Sequence, residues 1–431
     1  MSPSEDGTTA PLDFTIETPE NLRAILDQYF TRKSGYAPTR SMRMALRLLA
    51  GLQIGSLKLI LPNNKTMHFN GKQDGPSGVL HIHNDRTARR FLTGGKLGFC
   101  ESYLDGDWSS PDMTTFFELI LINSQNMKRA LLGKKWVRLA SYLSHILKPN
   151  TRRGSRKNIY SHYDIGNEFY SEWLDPSMTY SSALFADGIE TLEAAQERKY
   201  AEMARRLDLK PEHSLLEVGC GWGGFAEYVA RNIGCSMTCI TVSQAQHDYA
   251  VARMEKAGLS DKVEIRMQDY RDVSQKFDRI ASIEMFEAVG EKYWPVYFGA
   301  IHDRLKTGGR AVLQIITIHE NDFPTYRKTA DYIQRYIFPG GMLPSLEALD
   351  AEIATAKLTK GDVLKFGQDY ARTLNIWNEK FQSVWPKISA AHNMDERFKR
   401  TWEQYFSYCE AGFKTGRIDV VQIAVHKDES A

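Results

Sequence analysis

Apolar positions recur along this chain in two rhythms, and the change between them divides it. In the N-terminal part, Leu57–Leu61 and Thr66–Phe69 alternate apolar and polar residues around Pro62-Asn63-Asn64-Lys65, the pattern of a β-hairpin, and Val79–His83 reads as a further strand. Helical spacing covers Glu20–Tyr29, Ser41–Leu49, Asp85–Thr93 and Met113–Ile122. Further on, short apolar strands alternate with helices: Ser214–Val218, Ser236–Val242, Lys262–Met267, Phe277–Ile283 and Arg310–Ile316, with Val420–His426 in a late pair. That alternation predicts a doubly wound, mostly parallel sheet, so the chain reads as an α/β domain preceded by a smaller α+β domain.

Charge marks the boundary. Between Glu118 and Asp164 lie 45 residues without one acid, ten of them Lys or Arg. Trp136, Val137, Leu139, Ala140, Leu143, Ile146 and Leu147 recur there at helical spacing, among Lys134, Lys135, Arg138, Lys148, Arg152, Arg153, Arg156 and Lys157. A basic amphipathic helix suits an anionic membrane surface, and a solvated linker helix is the alternative. Nucleic acid is not expected, because no recognition motif accompanies the segment and the remaining chain is net acidic. The expected divisions are a disordered tail over 1–15, an N-terminal lipid- or membrane-associated domain over 16–125, the basic linker over 126–158 and a catalytic domain over 159–431.

Composition narrows the class. With 431 residues, 42% of them hydrophobic, the chain can fill more than one core. Cys100, Cys220, Cys235, Cys239 and Cys409 show no metal-type pairing and point to a reducing compartment. His81, His83, His319 and His392 have no ligand spacing, so no metal is expected. The first dozen residues are polar and acidic, unlike a signal peptide, and no long apolar run could span a membrane.

Residues 215–224, LLEVGCGWGG, carry the clearest chemistry. Gly219, Gly221 and Gly224 satisfy the G-x-G-x-x-G dinucleotide pattern, but a nicotinamide enzyme wants an acid roughly 20 positions on, after the second strand. Ser243, Gln244, Ala245 and Gln246 stand there instead. An acid, Glu217, precedes the first glycine by two residues, a spacing that resembles the first motif of S-adenosylmethionine (SAM) methyltransferases. SAM is therefore favoured over NAD.

Many ordered segments add to this: LGFCESYLDGDW at 97–108, HYDIGNEFY at 162–170, LDPSMTYSS at 174–182, AAQERK at 194–199, ITVSQAQ at 240–246, DYRD at 269–272, FDRIASIEMFEAVG at 277–290, YIFPGGMLPS at 336–345 and FGQDYARTLNIW at 366–377. Together they resemble the cyclopropane-fatty-acyl-phospholipid synthase family over nearly the whole chain. The resemblance implies a Rossmann-like class I SAM methyltransferase fold with a seven-stranded, mostly parallel sheet. It implies methylation of double bonds in unsaturated phospholipid acyl chains, in the cytoplasm at the inner membrane face, with a homodimer left open. It assigns cofactor contacts to Tyr180 and Ser181, to Glu217 and the turn Gly219, Cys220, Gly221, Trp222 and Gly223, to Thr241 and Gln246 on the ribose side, and to Asp269 and Tyr270 near adenine.

An alkene is a weak nucleophile, so its methylation needs a strong donor, a dry pocket and groups that tolerate the carbocation formed. A base must then remove a proton. The family resembled holds a bicarbonate ion for this, with a cysteine, a glutamate, a histidine and a tyrosine. Glu287 and Tyr370 match the glutamate and tyrosine, whereas the cysteine position is Ser182, the histidine position is Gln314, and the histidine that usually follows the glutamate is Ala288. Serine and glutamine can still donate to an anion, so bicarbonate binding is weakened and not excluded. Two outcomes stay open. Either Glu287, or a water it holds, takes the proton and a cyclopropane forms, or deprotonation elsewhere gives a methyl-branched, methylene-bearing or methylated conjugated product. A SAM-binding membrane protein without lipid chemistry is the other class, against which the retained cofactor turn, Glu287 and Tyr370 argue.

Overall fold

The structure, a computed structural model, describes residues 13–31, 35–124, 166–186 and 191–428. The basic segment 126–158 and His162, Tyr163 and Asp164 lie outside the described residues. The described chain forms two compact units.

The first unit holds a five-stranded sheet of order β1-β3-β2-β4-β5, made by β1 (Asp13–Ile16), β2 (Ile54–Ile60), β3 (Thr66–Asn70), β4 (Gln73–Ile82) and β5 (Trp108–Ser109). The hairpin expected at residues 57–69 is β2-β3, closed where the Leu61 N–H donates to the Lys65 carbonyl and Asn64 takes a left-handed φ of 60°. Alternation decides which face is covered: Leu57, Leu59, Met67 and Phe69 are buried while Lys58 points out. The helices are α1 (Pro19–Tyr29), α2 (Arg40–Leu49), α3 (Arg86–Leu104) and α4 (Met113–Ile122). Sequence spacing ends α3 near Thr93, but the chain breaks at Gly95, φ 61°, and resumes helix to Leu104. The second half is what brings Phe99 against Trp108, ring centroids 4.6 Å apart.

A late helix, Glu396–Lys414, belongs to this first unit and not to the second, so the expected single catalytic block over 159–431 is interrupted at Asp395–Thr415. Its apolar face buries Trp402, Tyr405, Phe406 and Phe413. Thr114 donates to Glu410 at 2.9 Å and Lys414 pairs with Glu118 at 2.5 Å, which ties the helix to α4.

The second unit is built on a seven-stranded sheet of order β11-β12-β10-β9-β6-β7-β8. Its strands are β6 (Ser214–Val218), β7 (Ser236–Thr241), β8 (Val263–Met267), β9 (Phe277–Ile283), β10 (Leu305–Ile318), β11 (Thr359–Lys365) and β12 (Ile418–His426). The pairs β8/β7, β7/β6, β6/β9 and β9/β10 are parallel, and β12 runs antiparallel between β10 and β11. Leu215 and Leu216 point to opposite faces and enter separate apolar clusters, one on each side of the sheet. The covering helices include α5 (Asn167–Trp173), α6 (Leu192–Arg206), α7 (Gly224–Asn232), α8 (Gln244–Ala257), α9 (Trp294–Arg304), α10 (Leu346–Thr355) and α11 (Gly367–His392). The chain winds one way from β6 to β7 and β8 and the other way to β9 and β10. That makes the carboxyl end of β6 the switch point where ligands of such sheets bind.

Candidate active site

At that end of β6 the chain turns into α7 with φ of 83° at Gly219, 54° at Gly221 and 82° at Gly223. The Gly219 and Cys220 N–H groups both donate to the Ile240 carbonyl, at 3.0 and 3.1 Å, and hold the turn against β7. A Cβ at Gly219 would strike the Met285 side chain at 2.6 Å, whereas at Gly221 nothing lies within 4 Å. Gly221 thus leaves bare backbone beside open space, the arrangement a nucleotide-like ligand needs. Glu217 is 2% exposed, and its Oε2 is buried without a hydrogen-bond partner. Burial pushes Glu217 up to about 7, with Cys239 and Lys199 holding it back. An orphaned acceptor beside an open glycine turn fits a cofactor that brings an ammonium and a chain of polar groups, as SAM does.

The other expected contacts cluster less evenly. Thr241 and Gln246 are both buried and joined by a 3.0 Å hydrogen bond at the carboxyl end of β7. Asp269 follows β8 as expected, but Arg271 grips it at 2.7 and 2.5 Å and its carboxylate also caps the Arg271 N–H. Tyr270 packs edge-on against Tyr297, centroids 5.4 Å apart. Trp222 Nε1 donates to Asn167 on α5 at 2.8 Å, a partner that sequence spacing did not single out.

Aromatic rings wall the region beyond the turn. Tyr180 has Trp173, Trp377, Tyr170 and Phe338 around it at 5.6, 5.4, 5.5 and 6.3 Å between centroids. Ring faces of this kind stabilise cationic neighbours. The neighbouring Ser181 is fixed from behind: its hydroxyl accepts from Lys199 Nζ at 2.8 Å and its carbonyl accepts from Gln196 at 2.9 Å. Lys199 is fully buried with its Nζ 4.3 Å from the centroid of the Tyr200 ring. Burial drives it down to about 7 against the pull of Glu284, Asp175 and Glu217.

The resemblance sets three residues, Ser182, Gln314 and Tyr370, about an anion together with Glu287. All three converge on Glu284. The Ser182 N–H and Gln314 Nε2 donate to Oε1 at 2.9 and 2.8 Å, and the Tyr370 hydroxyl donates to Oε2 at 2.6 Å. Ser182 contributes through its backbone alone, since its hydroxyl donates to the Ala183 carbonyl. Gln314 is aimed by Gln422, whose Nε2 donates to its Oε1 at 3.1 Å across the β10/β12 pair. Glu284 follows β9 directly with φ 49°, a left-handed conformation that costs a non-glycine residue about 1–2 kcal/mol. Glu287 is turned differently: Oε1 accepts the Ile316 N–H at 2.5 Å, and Oε2 is buried without a partner. Its backbone carbonyl takes the Met342 N–H at 2.8 Å, which seats the Pro339-Gly340-Gly341 turn over it. Burial and then the Glu284 charge raise Glu287 to about 8, while Glu284 is raised by burial against three hydrogen bonds that favour its anion. Glu287 therefore favours its protonated form at neutral pH, while the three donors around Glu284 are arranged for an anion.

Among the described residues no cluster of His, Cys, Asp and Glu is arranged to hold a metal ion, and no helix is long and apolar enough to cross a membrane.

Comparison with known proteins identifies the family. The profile of the family described as mycolic acid cyclopropane synthetase matches residues 150–423. The chain is 36% identical to tuberculostearic acid methyltransferase of Mycobacterium tuberculosis over 363 residues, 82% of this chain and 84% of that protein. It is also 36% identical to cyclopropane-fatty-acyl-phospholipid synthase of Escherichia coli over 344 residues, 80% of this chain and 86% of that one. Its fold matches mycolic acid cyclopropane synthase CmaA1 complexed with SAH and CTAB, at 28% identity and a TM-score of 0.60, covering 65% of this chain and 99% of that one. With the seven-stranded sheet, the glycine turn and the Glu284–Glu287 carboxyl pair in place, the chain belongs to the mycolic acid cyclopropane synthetase family and is a class I SAM-dependent methyltransferase.

Proposed function

We propose that this enzyme transfers the SAM methyl group to the double bond of unsaturated acyl chains carried by membrane phospholipids. The observation that carries the reading is the aromatic cluster around Tyr180 and Trp377, joined through Tyr370 to the Glu284 carboxyl, groups that can stabilise a carbocation. SAM, when bound, supplies an electrophilic sulfonium methyl. The chain's own part is to orient the cofactor with Gly219–Gly223 and the Thr241–Gln246 pair, to exclude water with Trp173, Tyr180 and Trp377, to set Glu284 among three hydrogen-bond donors and to hold a proton at Glu287. Activity on acyl chains of the named relatives supports the same substrate class.

The basic segment 126–158 fits docking of the enzyme on an anionic membrane at the cytoplasmic face. Reversing the charges of Arg152, Arg153, Arg156 and Lys157 is expected to weaken binding to anionic vesicles, most at low salt, and unchanged binding assigns the segment to a linker. For the reaction itself, the full chain is incubated with isotopically labelled SAM and unsaturated phospholipid vesicles, and the released fatty acids are analysed by mass spectrometry. Label is expected in the acyl chain. Its absence there removes the reading.

A further inference from the structure

Among the ionisable groups to which the sequence gives no task, Glu284 has the most built around it. Donors from three separated segments meet at its carboxylate: the backbone at Ser182, Gln314 on β10 and Tyr370 on α11. Its own backbone sits in a strained left-handed turn that aims the side chain back among those donors. These are the positions that the family resemblance gives to an external anion, and here their hydrogen bonds end on a carboxylate of the chain. Glu287 is placed differently: one of its oxygens is tied to the Ile316 N–H, none of the three donors reaches it, and burial favours its protonated form. Lys199, buried behind Ser181, acts on Glu284 through its charge without displacing any of the three donors.

Building on the acyl-methylation reading, we propose that Glu284 is the base of the reaction, standing in the place of a bound inorganic anion, so that turnover needs no bicarbonate. The π electrons of the alkene form the new C–C bond to the donor methyl as the S–CH3 bond breaks, and the other alkene carbon becomes cationic. Glu284 then accepts a proton from the methyl group. The electron pair of that C–H bond either closes a cyclopropane or, after a hydride shift, becomes the double bond of a methylene group. Both outcomes balance as alkene plus SAM giving product, SAH and one proton. A saturated methyl branch requires a hydride donor besides, so any such product comes from a later reductase acting on the methylene lipid.

The test uses the full chain with labelled SAM and unsaturated phospholipid vesicles in buffer freed of carbon dioxide. Wild-type turnover is expected to be indifferent to added bicarbonate. Glu284→Gln is expected to lose about 100-fold or more in kcat, with SAH affinity by calorimetry unchanged. Glu284→Gly relieves the backbone turn and empties the pocket; it is expected to be silent without a carboxylate and to regain at least about 10-fold of its rate with bicarbonate or formate. In parallel, labelled bicarbonate is followed by NMR, where line broadening is expected with Glu284→Gly and not with wild type.

Any of three results overturns the proposal: a wild-type rate that falls when carbon dioxide is removed, bicarbonate broadening by wild type, or Glu284→Gln turnover within about 3-fold of wild type. A Glu284→Gly variant that binds SAH but responds to no carboxylate overturns it as well. Absence of label from acyl chains with wild type is a failure of the substrate reading instead, and the bicarbonate spectra still report on the pocket.

Discussion

The glycine turn at 219–223 and the carboxyl pocket at Glu284 lie in the same unit and are assembled in opposite ways. The turn is contiguous: a strand end, three positive-φ glycines and a helix start supply its shape within ten residues. The pocket draws on positions 182, 284, 314 and 370, brought together only because β9 and β10 end side by side and α11 packs nearby. A contiguous site can be read by spacing. A pocket built from distant segments can be read only once the strand order is known, and one extra carboxylate in it changes which residue the donors meet.

The contrast can be broken at its local half first. Gly221→Val puts a β-branched side chain at φ 54° into the space the turn keeps open, and it is expected to weaken SAH binding by at least about 100-fold, measured by calorimetry. Retained affinity would mean that the turn does not carry the cofactor. Tyr370→Phe removes one donor from Glu284 and leaves the turn intact. Its kcat is expected to fall about 10-fold or more while SAH affinity holds, and a parallel loss of both would merge the two regions into one.

The pH response separates the two carboxyls. Glu287 has a folded pKa of about 8, above its unfolded value, so the native state binds the extra proton. That contribution to stability is full below the unfolded carboxylate pKa and is lost as pH rises toward 8. Lys199 runs the other way: its folded pKa of about 7 lies below its unfolded value, so stability recovers as pH rises above 7. Glu287→Gln is therefore expected to flatten the decline between pH 5 and 8 in chemical denaturation, and to gain on the order of 2 kcal/mol at the alkaline end of that range. An unchanged slope would place the proton elsewhere. The smallest effect is expected of Ser182→Ala, because the pocket uses the Ser182 N–H and not its hydroxyl: kcat within about 3-fold, with stability lower by about 1 kcal/mol from the lost bond to Ala183.

Much of the second unit was legible from periodicity. β6 and β9 run from Ser214 to Val218 and from Phe277 to Ile283, the bounds expected from the sequence, because each carries a short apolar run, Leu215-Leu216 and Ile280-Ala281, that is buried in the sheet. β11, TKGDVLK, escaped that reading: it is an edge strand with mostly exposed, polar positions. Helix Glu396–Lys414 shows its amphipathic face plainly, but periodicity does not say which core that face covers, and it joins the first unit. Spacing hides Glu284 for a similar reason. Position matching favours Glu287, and only the convergence of Ser182, Gln314 and Tyr370 distinguishes the two. A sequence signal did exist: an acid placed immediately after an apolar parallel strand, at the edge of the switch point, is costly unless it is used.

Methyl transfer to an acyl double bond with Glu284 as the proton acceptor is tested most directly by one comparison: wild type and Glu284→Gln with labelled SAM and unsaturated phospholipid, without carbon dioxide, read by mass spectrometry of the fatty acids. The expected result is a labelled acyl chain heavier by one CH2 from wild type and almost none from the variant, with SAH bound equally by both. Equal labelling by the two proteins, or no labelled acyl chain from wild type, contradicts it.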